Sequence, residues 1–142
     1  MAILVLGGAG YIGSHTVYAL CEAGREVVVV DNLETGHVES VHPDAKFYQG
    51  DISDKAFIAD VFDKEDMSAV IHFAAFKAVG ESVAEPIMYY RNNLVSFLNI
   101  LESAKKHGGC NVLFSSSATV YGEAEDLPVT EKTPRMPATS PY

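Results

Sequence analysis

Three glycines recur at every third position in Gly7-Gly8-Ala9-Gly10-Tyr11-Ile12-Gly13, directly after the apolar run Ile3–Leu6. Between a strand and a helix, such a pattern has a specific chemistry. Gly7 permits the tight turn, Gly10 lets a pyrophosphate approach the backbone, and Gly13 lets the helix pack closely on the sheet. The phosphates would sit on the helix N-terminus, with a bare strand-to-helix turn as the alternative. Asp31 closes the next apolar run, Val27–Val30, 21 residues beyond Gly10. A carboxylate at that distance accepts from the 2′-hydroxyl of an adenosine ribose and repels a 2′-phosphate, favouring NAD over NADP. The competing role for Asp31 is a turn cap.

Further polar and small residues gather at predicted strand ends. Asp51-Ile52 would edge the adenine pocket, unless Asp51 is simply a helix N-terminal carboxylate before Ser53. Phe73-Ala74-Ala75 supplies small side chains where backbone must pass near a ligand, although packing alone accounts for them too. Lys77 is the only basic residue between Lys64 and Arg91 and suits an anion, or stands as a solvated loop lysine. Asn92 and Asn93 fall within a predicted helix, where asparagine is locally unfavourable, so at least one should bond outside that helix. Phe97, Leu98 and Leu101 on the same helix read as core. Ser115-Ser116-Ser117 brings hydroxyls that orient a substrate oxygen or cap a strand end.

The elements that must position these groups follow from periodicity. Strands are predicted at Ile3–Leu6, Val27–Val30, Lys46–Gln49, Ala69–Ala75 and Asn111–Ser115. Helical spacing lies between them, at Ile12–Leu20 and Phe57–Phe62. Gly24 fits a helix C-cap. A long helix is expected from Pro86 to Gly108–Gly109, about 30 Å at the standard rise, with Lys105, Lys106 and His107 at its negative end. From Glu123 to Tyr142 the chain turns rich in Pro, Glu and Thr and loses periodicity, which reads as irregular surface. Strands alternating with right-handed helical crossovers give an α/β class, a doubly wound parallel sheet of order 3-2-1-4-5. Ligands then collect at the carboxyl ends of its strands.

Composition narrows the remaining classes. The chain has 142 residues, 48% of them hydrophobic and 20% charged, with mean hydropathy +0.10, as an ordinary single domain has. Ten basic against 19 acidic residues leave a net charge of -9, which repels a nucleic-acid backbone. No apolar run approaches the roughly 20 residues that cross a bilayer, and no cationic leader is visible; the expectation is a cytoplasmic protein without a membrane partner. Cys21 and Cys110 form neither a disulfide framework nor a metal spacing and read as buried reduced thiols. The five His show no zinc interval, so no metal site is expected.

Together these stretches resemble the extended short-chain dehydrogenases/reductases, above all the branch that epimerises UDP-hexoses at C4. The matching segments are GGAGYIGSHT from Gly7, DNL from Asp31, GDI from Gly50, VIHFAAFKAVGES from Val70, YYRNN from Tyr89, SSSATVYG from Ser115 and the final SPY. The resemblance covers the whole chain, and KAVGES with SSSATVYG is its narrowest part. It implies cofactor contacts from Gly7, Gly10, Tyr11, Ile12, Gly13, Asp31, Asn32, Leu33, Asp51, Ile52, Phe73, Ala74, Ala75, Lys77, Asn92 and Ser115, with NAD as the cofactor. It also implies that Tyr142 takes the proton from the sugar 4-hydroxyl while hydride leaves C4, and that Ser117 bonds the same oxygen. The implied partners are a UDP-sugar and, as an assembly the family allows, a second copy in a homodimer.

In the family, SPY opens a Tyr-x-x-x-Lys motif followed by a sixth strand and a sugar-binding region. On that pattern residues 1–142 are the N-terminal, NAD-binding part of a longer enzyme and by themselves show little turnover. Nucleotide-sugar 4,6-dehydratases share the glycine loop but carry an acidic pair after the strand-five Ser/Thr, where this chain has Ala118-Thr119. That difference favours epimerisation. A non-catalytic NAD-binding module is the reading from a different class, opposed by Ser117 with Tyr142.

Overall fold

A computed structural model describes residues 1–124 and 127–142. Its five strands are β1 (Ala2–Leu6), β2 (Val27–Asp31), β3 (Lys46–Gln49), β4 (Met67–His72) and β5 (Asn111–Phe114). All pair in parallel, in the order β3-β2-β1-β4-β5. The expected doubly wound sheet is therefore the observed one. Strand order reverses beside β1, which lies between β2 and β4, and at such a crossover the loops on the two sides diverge and leave a crevice.

Both faces of the sheet are covered, so alternate residues of one strand enter different cores. From β1 and β2, Leu4, Leu6, Val28 and Val30 meet Ile58, Val61 and Phe62 of α2 (Lys55–Lys64) and Ile100 and Ala104 of α5 (Ser96–Lys106). Ile3, Val5, Val27 and Val29 instead meet Val17 of α1 (Tyr11–Glu22). Asp54 starts α2 by accepting from the amides of Ala56 and Phe57. Gly24, at φ +71°, ends α1 as expected, its amide donating to the Cys21 carbonyl.

The segment after β4 departs from expectation. The fourth strand stops at His72, so Phe73-Ala74-Ala75 lies in the loop beyond it. A short helix not foreseen, α3 (Val79–Ala84), precedes α4 (Pro86–Tyr90), and the single helix expected from Pro86 is interrupted by a π-helical turn at Arg91–Val95 before α5. Such turns insert a residue and swing side chains out of helical register. Leu98 and Leu101 are exposed rather than core, and Phe97 is half-buried. The sheet-facing side of α5 is taken by Ser96, Asn99, Ile100, Ser103 and Ala104, mostly small residues that let the helix approach closely. Cys21 and Cys110 are free but only partly buried. Among the described residues no helix is long and apolar enough to cross a membrane, and no cluster of ligating side chains could hold a metal.

Candidate functional site

The carboxyl ends of β1, β2 and β4 meet around the glycine loop. Gly7, at φ +79°, donates its amide to the Val30 carbonyl. A side chain at Gly7 would strike the Ala74 backbone 2.9 Å away, and one at Gly13 would collide with the Gly7 carbonyl. These two glycines are required by the fold itself. Gly10 is different, since its φ of -80° suits any residue and a Cβ there would have nothing nearer than the Gly7 oxygen at 3.4 Å. The protein leaves room at Gly10 that it does not fill. Gly10 also precedes α1 without any side-chain cap, so the first amides of that helix point outward, flanked by Tyr11 (83% exposed) and Ile12 (62%). Open space beside uncapped amides is what an anionic ligand needs.

Asp31 is only 9% exposed, and each oxygen of its carboxylate holds a different loop. Oδ2 accepts from the Ala9 amide at 3.0 Å and Oδ1 from the Leu33 amide at 2.9 Å. Leu33 is pinned at φ +61°, left-handed backbone that a leucine rarely takes. The segment after the turn returns to the same place, the His37 amide donating to the Ala9 carbonyl. Turn cap and ribose acceptor are thus compatible roles, because a carboxylate has about four acceptor positions and two are used. Asn32 is exposed beside it and accepts from the Glu34 amide.

On the third strand's side, the Gly50 amide donates to the Asp31 carbonyl and carries the next loop inward. Asp51 is exposed and engaged locally, accepting from the Ser53 amide at 2.7 Å, while Ile52 belongs to the core. On the fourth strand's side, the Phe73 and Ala74 amides both donate to the Leu6 carbonyl, seating that loop against Gly7. Ala75 and Lys77 are exposed beyond it, and among the described residues Lys77 forms no ion pair. Asn92, half-buried in the π turn, donates to Asn93 Oδ1 at 2.9 Å.

The fifth strand end is tied in by the Ser115 amide, which donates to the His72 carbonyl. Ser117 caps the short 3-10 turn Ala118–Tyr121, and its Oγ accepts from both the amide (3.2 Å) and the hydroxyl (2.9 Å) of Thr119. With its oxygen so engaged, Ser117 keeps its proton to donate. Tyr142 shares a cavity of about 230 Å³ with Thr119, Val120, Arg135 and Met136. The terminal segment is anchored there by the Met136 amide, which donates to the Val120 carbonyl.

Four contributors to this rim carried no sequence signal strong enough to assign them: Thr119, Tyr89, His72 and, beyond its oddity in a helix, Asn93. His72 ends β4 with 2% exposure, its ring stacked on Phe114 and tilted against Phe97. Burial pushes its pKa down to about 4, and its Nδ1 has no partner among the described residues.

A glycine loop at the switch point of a five-stranded parallel sheet defines an α/β protein of the doubly wound, Rossmann-like class. The chain belongs to the sequence family described as GDP-mannose 4,6 dehydratase, which it matches over residues 4–142. It is 49% identical over its whole length to the UDP-glucose 4-epimerase of Lacticaseibacillus casei. It superposes with a TM-score of 0.95, at 47% identity, on a crystal structure of UDP-glucose 4-epimerase. With the Bifidobacterium longum UDP-glucose 4-epimerase, solved in complex with NAD+ and UDP, the TM-score is 0.93 at 45% identity. All of this chain is covered in each case, yet it spans only 43% of the first two proteins' length and 44% of the third's.

Proposed function

We propose that residues 1–142 bind NAD and that the whole protein to which they correspond interconverts UDP-hexoses by epimerisation at C4. The observation that carries the reading is the unfilled space at Gly10 beside the uncapped start of α1. When bound, NAD would accept hydride from the sugar C4 and return it to the other face. The glycine loop would hold its pyrophosphate and Asp31 its adenosine ribose, with Asp51 and Ile52 edging the adenine. Lys77 and Asn92 would hold the far ribose, beside the backbone at Phe73–Ala75 and Ser115. Tyr142 would exchange the proton of the sugar 4-hydroxyl, and Ser117, its oxygen committed to Thr119, would donate to that same atom.

Epimerisation is preferred to dehydration because Ala118-Thr119 offers no carboxylate after Ser117 to assist loss of water, and because the relatives named above are epimerases. A second copy is the assembly proposed for the outer face of the π turn and α5, where Leu94, Leu98 and Leu101 stand exposed. Free thiols at Cys21 and Cys110 suit a cytoplasmic, reducing setting.

Calorimetry on the chain tests the cofactor assignment. NAD should bind well and NADP poorly, and Asp31→Ala should weaken NAD about ten- to a hundredfold, as loss of charged hydrogen bonds worth about 1.5–3 kcal/mol implies. Equal affinity of the wild type for both cofactors would remove the ribose assignment. In the whole protein, Tyr142→Phe should lower turnover by about 10²–10⁴-fold while NAD stays bound; near-normal turnover would show that another group moves the proton.

A further inference from the structure

Lys77 sits on an exposed stretch of the loop after β4, yet the backbone on both sides of it is gripped by one helical ridge. On the near side, Asn93 Oδ1 accepts from the Phe76 amide at 2.9 Å while Asn93 Nδ2 donates to the Phe76 carbonyl at 3.0 Å. That pairing uses both polar ends of one residue, and it fixes which way the side-chain amide points. On the far side, the Ala78 amide donates to the Tyr89 hydroxyl at 3.1 Å, and this hydroxyl donates onward to Glu81 Oε2 at 2.6 Å. Tyr89 is 1% exposed and its ring packs against Phe76. Tyr89 and Asn93 stand four residues apart, where α4 runs into the π turn. Asn93 Oδ1 also accepts from Asn92 Nδ2, so the amide that fastens the loop also orients its neighbour.

We propose that Asn93 and Tyr89 are positioning residues, a two-point backbone clamp that holds Lys77 and aims Asn92 at the nicotinamide-ribose end of a bound dinucleotide. The inference rests on the dinucleotide reading above and assigns to it two residues that need not touch the ligand. It also gives the π turn a purpose: the turn sets Asn93 to bond the loop at Phe76 and brings Asn92 against the Asn93 side chain. A lysine ammonium on a four-carbon stem has ample freedom to miss an anion, so fixing its backbone removes an ordering cost that binding would otherwise carry.

The test combines calorimetric NAD affinity with amide hydrogen exchange on the ligand-free chain, for wild type, Asn93→Ala, Tyr89→Phe, Lys77→Ala and the doubles. Asn93→Ala should speed exchange at Phe76 and weaken NAD about tenfold, the scale of one or two lost hydrogen bonds. In the Lys77→Ala background the same substitution should cost clearly less than in the wild type, only the share that passes through Asn92 remaining, because residues acting through a shared group are not additive. Tyr89→Phe, which removes one oxygen and keeps the ring, should repeat the pattern at Ala78 and provides the answer if Asn93→Ala fails to fold. Full additivity with Lys77→Ala, or unchanged NAD affinity despite faster exchange, would overturn the clamp. A wild-type chain that binds no NAD would instead defeat the dinucleotide reading on which it stands.

Discussion

His72 shows how a single buried side chain ties the rim to pH. Its ring is enclosed by Phe97 and Phe114, and burial lowers its pKa from 6.5 to about 4. The unfolded chain therefore binds a proton that the folded chain refuses throughout that interval. Stability is fully present above pH 6.5 and declines as pH falls toward 4, by about 2 kcal/mol at pH 5 from the separation of the two pKa values. Urea melts of wild type and His72→Phe at pH 7 and pH 5 should show the variant losing less over that step, since it has no imidazole to charge. Identical losses would mean that the ring already titrates normally in the fold. The residue scale also shows what sequence can and cannot convey. Asp31 was legible from its interval after Gly10, whereas its hold on Ala9 and Leu33 depends on two loops converging in space.

Among the elements, the β1–α1 connection separates what the fold needs from what a ligand needs. Gly13→Ala should lower the melting temperature markedly, because its Cβ collides with rigid backbone at Gly7, and overpacking of that kind costs about 1–3 kcal/mol or more. Gly10→Ala should leave the melt nearly unchanged and still weaken NAD in calorimetry, since the methyl occupies the space beside the helix amides. Comparable melting losses in both variants would show that Gly10 is as structural as Gly13. The strands and α1 were readable because apolar runs bounded by glycines leave few alternatives. The stretch from Phe73 to Val95 was not, since Pro86 and Leu98 fit a continuous helix equally well. Asn93, inside the turn that interrupts that helix, bonds Phe76 from 17 residues away, a contact that no local window contains.

For the whole molecule, the exposed pair Leu113 and Phe114 on the edge strand β5, with Leu98 and Leu101 on α5, leaves apolar surface uncovered in the isolated chain. Light scattering should find it self-associating at micromolar concentration. Thermal melts should rise with NAD, since a ligand held only by the folded state adds about 2.7 kcal/mol at a hundred times its dissociation constant. A monodisperse monomer whose melt ignores NAD would contradict both expectations. On the proposed reading the cofactor's phosphates would meet helix amides rather than the acidic surface that gives the chain its net charge of -9.

The strand order also governs how the chain reaches its native state. β1, made first, takes β2 on one side after a short crossover, but the strand on its other side, β4, ends at His72. At about 5–20 residues per second, a ribosome takes several seconds or more to deliver β4 after β1. For that interval Ala2–Leu6, destined to be wholly buried, has one open flank, and parallel pairing over so long a separation is intrinsically slow. The nascent chain is therefore most in need of protection by a chaperone before residue 72 emerges, and a synonymous change that slows translation between β3 and β4 should cost soluble yield without altering a single side chain.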